Sequence, residues 1–303
     1  MRLWLLVLGF TFSAHAAVRD VTTFGAVPND GTSDSAAIAA AVAASQAGDT
    51  VFFPAGTYLT DDAIRPHSGT SLVGAGRDAT IVRYVGTALL PLVELEGQSD
   101  VEVAALTLDG GANANAENGI HGANGSGHRL HDLTIRDLVQ GAGFGPHGIY
   151  FSTAVTDSEI RDNLITDMAP GSQWGAGMRI SQGSSRNVVM RNVIAVTGRG
   201  GVLNDNGSVD LVIRDNVITG SGVGLGIELF RGCDRAIVED NAIDHWLSLD
   251  TSSYCAVRRN IVSDTTGTIK IIGLDVADVF VPDGAPLPRV RPTQVGDQRP
   301  RAP

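Results

Sequence analysis

LTIRDL (133–138), SEIRDN (158–163), VVMRN (188–192), LVIRDN (211–216), AIVEDN (236–241) and AVRRN (256–260) are variations on one phrase. Aligned on asparagine, Asn163, Asn192, Asn216, Asn241 and Asn260 follow one another at 29, 24, 25 and 19 residues. Each phrase alternates apolar and polar residues, turns, and resumes with an apolar pair such as Val217-Ile218. Period two and β-branched residues mean strand–turn–strand. A unit this short cannot bury its own apolar side, but stacked on a copy of itself it can. The repeat therefore predicts an all-β chain: a single-stranded right-handed parallel β-helix, with the recurring asparagine at one corner of every coil forming a ladder of amides.

A second strand follows in each unit and opens on glycine: GIHGAN from Gly119, GIYFST from Gly148, GMRISQ from Gly177, GVLNDN from Gly201 and GIELFR from Gly226, with WLSLDT from Trp246 in the same place. Positions two and four are mostly apolar and should face inward, so positions three and five face out. Stacking then makes two outer columns. One reads His121, Tyr150, Arg179, Leu203, Glu228, Ser248, and the other Ala123, Ser152, Ser181, Asp205, Phe230, Asp250. Asn204 should point inward.

Outside the repeats, residues 33–45 read as an Ala-rich helix with Ser33 or Asp34 as N-cap, its Ile38 and Val42 suited to plug the open end of the solenoid. Arg2, the apolar run Leu3 to Phe12 and Ala14-His15-Ala16 read as a secretory signal over 1–16, so the protein is expected to be exported. The β-helix should occupy 17–281. Residues 282–303, with six prolines and four arginines, read as a disordered tail.

The 303 residues are 43% hydrophobic, 18% charged and only 5% aromatic, which favours many thin aliphatic layers over one thick core. The 37 glycines follow no G-X-Y period, excluding collagen. A net charge of −11 with no basic patch speaks against nucleic acid, and no later apolar stretch is long enough to span a membrane. The expected partner is a polysaccharide, bound by a monomer. Cys233 and Cys255 lie in neighbouring coils, but asparagine registration aligns Cys255 with Ala236, about 10 Å along the strand from Cys233, so no disulfide is expected. Without CxxC, HExxH or a Gly-rich phosphate loop, no zinc, haem or nucleotide cofactor is expected.

VTTFGAVPNDGTSDSAAIAAAVAAS…GDTVFFPAGTY (21–58), SLVGAG (71–76) and LTLDG (106–110) resemble the N-terminal module of the pectate-lyase superfamily, which contains rhamnogalacturonases and alginate epimerases. The resemblance implies the β-helix and leaves open lyase, hydrolase, epimerase or tailspike roles. GFGPHG (143–148) is similar to the catalytic turn Y-G-F-D-P-H of alginate C5-epimerases; His147 matches, while Ala142 and Gly145 hold the Tyr and Asp places.

Two clusters on the outer columns could carry chemistry. His121, Tyr150 and Arg179, with His147 nearby, suit β-elimination on a uronate: Arg179 neutralises the carboxylate, and Tyr150 and a histidine transfer protons. Asp205 and Glu228, expected about 8 Å apart, suit glycoside hydrolysis; with Asp250 they could instead hold Ca²⁺, the one cofactor left open. Arg231, Asp250, Gln182 and Asn206 are the substrate-binding candidates. The leading expectation is a secreted lyase cleaving a uronic-acid-containing polysaccharide. A glycoside hydrolase and a non-catalytic glycan-binding β-helix are the alternatives.

Overall fold

The computed structural model describes residues 16–141, 145–222, 224–263 and the backbone of 269–272. The proposed signal, apart from Ala16, and the proposed tail lie outside the described residues.

Short strands wind into a parallel solenoid of three sheets, every strand pairing with its counterparts one coil away. Among the described residues the first sheet has ten strands, the second nine and the third eight. One coil shows the plan: Glu159–Arg161 in the first sheet, Leu164–Met168 in the second and Ala176–Ile180 in the third. Apolar columns from the sheets meet inside. Ile160, Val189 and Ile213 from the first face Ile165, Ile194 and Ile218 from the second and Ile149, Met178 and Ile227 from the third, all at most 1% exposed. Alternation read in the sequence is thus the alternation of the pleat.

The repeated phrase has a local cause. The residue before each ladder asparagine takes positive φ, at Asp162, Arg191, Asp215, Asp240 and Arg259, and aspartate is among the residues that tolerate this best. The asparagine that follows is buried and bonds upward and downward. Asn192 donates from Nδ2 to Asn216 Oδ1 at 3.0 Å and to Ile160 O at 3.0 Å, and Asn216 repeats this on Asn241. The ladder runs unbroken from Asn163 to Asn260.

The leading glycines have a second cause. They stack where the third sheet begins, beneath the isoleucines of the second sheet. A Cβ on Gly177 would lie 2.4 Å from Ile194 Cγ2 and 2.8 Å from the Gly201 carbonyl, and Gly148 and Gly201 are equally closed. Glycine is there because the next coil's backbone occupies the space of a side chain.

The capping helix spans Ser35–Ala43 and buries Ile38, Ala41 and Val42. Asp34 holds the N-cap position, but its carboxylate accepts from Val27 N at 2.8 Å and Leu59 N at 3.1 Å, stitching the cap to the first coils instead of bonding the helix. Cys233 and Cys255 are free and buried, with Ala256 paired to Ile237, so that Cys255 falls opposite Ala236 as the spacing implied. Among the described residues no helix is long and apolar enough to cross a membrane.

Candidate functional site

The third sheet carries the candidate site. Its register places Glu94, His121, Tyr150, Arg179, Leu203, Glu228 and Ser248 side by side on successive strands. The outer column read from the sequence is therefore present, extended by one coil to Glu94. Asp205, Phe230 and Asp250 form the second column, but its expected first half is not there: Ser181 and Ala123 are buried, and Ala123 pairs with Thr153 instead of Ser152 across a shift in register.

Tyr150 is the centre. Its ring lies 5.5 Å from the His121 ring and 4.8 Å from the His147 ring, with the Arg179 guanidinium 5.5 Å from its centroid. Burial raises the phenol above its ordinary value; Arg179 opposes this, and Asp205 and Glu117 add to it. Tyr150 consequently holds its proton at neutral pH.

His121 is held from both sides. Nδ1 lies 2.9 Å from Glu94 Oε1 and 3.1 Å from Oε2, and Nε2 lies 2.8 Å from Ser152 Oγ. Burial pulls its pKa down, but the hydrogen bond and charge of Glu94, with Glu117 and Glu96 behind, more than offset that and leave it raised. Glu117 is itself raised, chiefly by burial.

Arg179 donates from Nη2 to Asp205 Oδ2 at 2.6 Å and from Nε at 3.2 Å. A guanidinium has five N–H donors, so Arg179 keeps others for a ligand. Glu228 receives Arg199 Nη2 at 3.4 Å, and the Arg199 guanidinium also lies over the Trp174 ring at 5.6 Å. Asp205 and Glu228 are thus two arginine-bound carboxylates instead of an open acid–base pair. Among the described residues no three His, Cys, Asp or Glu side chains converge as a metal site. Asp205, Glu228 and Asp250 belong to no such group, so they do not make the oxygen cage that calcium takes.

The remaining candidates sit apart from this centre. Gln182, Asn206 and Arg231 all have positive φ in the turns that end the third-sheet strands, and all are exposed; Arg231 lies over the Phe230 ring, 4.6 Å from its centroid. Asp250 is half-buried at the end of its strand. Asn204 points inward as expected, with Nδ2 donating to Ser208 O at 3.2 Å.

His147 is only 2% exposed and lies under Tyr150, with its backbone N–H and Nδ1 both within 3.1 Å of Asn118 Oδ1. Burial, with Arg179, Arg199 and His121 nearby, pushes its pKa down to about 3. His128, wholly buried beside Phe151, is pushed down to about 4 by burial. Both are therefore neutral in the fold, whereas an unfolded histidine titrates near 6.5. Between pH 6.5 and 4 the unfolded chain binds more protons, so stability falls as the pH is lowered, by on the order of 3 kcal/mol for each histidine at pH 4. Denaturant midpoints measured from pH 7 to 4 should drop steeply for the wild type and less for His128→Gln; equal drops would contradict this.

Glu94, Glu117, Asn118, Trp174 and Arg199 escaped the sequence reading. Glu94 lies on a strand, Val93–Glu94, that lacks a leading glycine, although Val93-Glu94 has the same apolar–polar phase as Ile120-His121. Arg199 and Trp174 lie outside the outward phase of the third-sheet strands, where periodicity gives no signal.

A parallel β-helix that presents ionisable groups on the outer face of one sheet has the architecture of the pectate-lyase-like proteins. Residues 18–225 match the family described as Rhamnogalacturonase A/epimerase, pectate lyase-like, and the chain belongs to that family. It is 30% identical over 237 residues to mannuronan C5-epimerase AlgE3 of Azotobacter vinelandii, a match covering 70% of this chain but 12% of the relative. For AlgE5 of the same organism the figures are 29%, 70% and 22%. The chain thus spans less than a quarter of these relatives. Among solved structures, the Geobacillus virus E2 ORF18 protein superposes with a TM-score of 0.65 at 18% identity, covering 87% of this chain and 60% of that one. An exopolygalacturonase from Thermotoga maritima gives 0.57 at 11%, covering 85% and 78%. At these identities the structures speak for the fold.

Proposed function

We propose that the protein is a polysaccharide-modifying enzyme acting on a uronic-acid polymer, and that its reaction is β-elimination. Tyr150 between Arg179 and His121 is the observation that carries this reading. Cleavage of a uronate needs a cation for the carboxylate, a base for the C5 proton and an acid for the departing oxygen. Arg179 offers its remaining N–H donors to the carboxylate, whose neutralisation makes the C5 proton acidic. His121 is the more accessible of the two histidines and serves as the base; its raised pKa strengthens its neutral form as a proton acceptor. Tyr150 gives its proton to the leaving oxygen. The epimerase relatives favour a second reading on the same residues, in which the C5 carbanion is reprotonated from the opposite face and the chain stays intact. Hydrolysis is less well served, because both carboxylates already accept hydrogen bonds from arginines and neither is presented as a free acid.

Incubation with pectate, alginate, xylan and related glycans separates these outcomes. New ultraviolet absorbance from unsaturated uronate is expected. Inverted C5 configuration without chain cleavage would replace elimination by epimerisation, and new reducing ends without absorbance would overturn both in favour of hydrolysis. Retained binding without any product would leave a glycan-binding solenoid.

A further inference from the structure

On the outer face of the third sheet, Glu94, His121 and Ser152 form a hydrogen-bonded line across three successive coils. The Glu94 carboxylate can only accept, so its contacts at 2.9 and 3.1 Å put the proton on His121 Nδ1. The neutral ring then offers its lone pair at Nε2, where Ser152 Oγ stands at 2.8 Å. Ser152 is carried on an irregular rung: pairing with the strand Asn118–Ala123 shifts register between Phe151 and Thr153. Such bulges re-aim side chains. Among the described residues its hydroxyl has one other contact, the Gly122 carbonyl at 3.4 Å. His121 and Glu94 are each about one-fifth exposed, and Ser152 is half-buried, so a ligand can reach them.

From this juxtaposition we infer a second activity: Ser152 is a nucleophile that hydrolyses acyl esters, with His121 as its base and Glu94 as the positioning residue. The constellation of nucleophile, imidazole and carboxylate is recognised by roles and geometry, whatever the chain order or fold. Ser152 Oγ attacks the acyl carbonyl carbon while Nε2 takes its proton. The tetrahedral intermediate expels the alcohol, which leaves with that proton, and the acyl group stays on Ser152. Water, deprotonated by His121, attacks the acyl-serine, releases the carboxylic acid and restores the hydroxyl. One ester and one water become one acid and one alcohol. The acyl carrier is an O-acylated sugar hydroxyl, because the His121 ring also lies against Tyr150. That carrier rests on the reading of the Tyr150 cluster as a glycan site; the nucleophile does not.

The groups facing His121 are Glu94, Glu117, Glu96, Tyr150, Ser152 and, below, His147. Protonated His121 cannot accept from Ser152, so ester hydrolysis should rise with pH along a limb above 6.5. Glu94→Gln removes the charge that sustains this and should move the limb to lower pH, a shift that a merely structural role would not produce.

The test uses the full chain with two probes. A fluorophosphonate is followed by peptide mass spectrometry, and acetate release is measured from an O-acetylated polyuronate. Expected are an adduct on Ser152 and acetate release that falls at least about 100-fold in Ser152→Ala. No adduct on Ser152, or release that persists in Ser152→Ala, overturns the proposal. Acetate release with no unsaturated uronate from the unacetylated polymer would sink the lyase reading alone. Unsaturated uronate with neither adduct nor acetate would sink this one alone.

Discussion

Gly177→Ala should cost about 3 kcal/mol or more, enough to lower the melting temperature by roughly 10 °C in a domain of this size. The added methyl has no exit. It would lie 2.4 Å from Ile194 Cγ2, which is wholly buried, and 2.8 Å from the carbonyl of Gly201 in the next coil. Relief requires either displacing the Ile194 column or separating two coils whose backbones are hydrogen-bonded. Gly183→Ala is the control. That glycine has φ +76 and nothing lies within 4 Å of where its methyl would stand, so the change meets only backbone strain of about 1 kcal/mol. Thermal unfolding of the two variants beside the wild type reads the difference. Equal losses would mean that the glycine column is a matter of turn conformation and not of close approach.

Tyr150→Phe should lower turnover on a uronate polymer by about 10²- to 10⁴-fold while leaving the melting curve close to that of the wild type. The substitution keeps the ring that touches His121, His147 and Arg179 and removes only the hydroxyl. If the phenol donates the proton to the leaving oxygen, kcat carries the loss and KM changes little. A variant that keeps its rate would reduce Tyr150 to a packing partner. Arg179→Ala is a coarser change, because it also strips Asp205 of its ion pair at 2.6 Å.

The fold was largely legible because its determinants recur. An interior isoleucine, a buried asparagine and a leading glycine each face the same neighbours in several successive coils, so one coil's logic is printed several times. Register followed from the same repetition: Tyr150 opposite His121 and Arg179 was a matter of counting from the glycines. What side chains do across the columns is not periodic. Asp205 was legible as an outward carboxylate, but its capture by Arg179 depends on the reach of one guanidinium. Glu228 stood in the predicted column, yet its partner Arg199 comes from outside the repeat phase. Glu94 was hidden because the first strand of the third sheet, Val93–Glu94, is only two residues long and lacks the glycine that marks most of the others. The N-cap of the helix shows the same limit, since Asp34 satisfies two backbone N–H groups distant in sequence in preference to the helix it precedes.

The proposed elimination depends on a carboxylate being the group that Arg179 receives. The most direct measurement is the ultraviolet trace of unsaturated product from two matched polymers, a native polyuronate and the same chain with its carboxylates reduced to primary alcohols. Product from the native polymer, with the rate on the reduced one lower by about 10³-fold or more, is the expected result. Equal attack on both would contradict it.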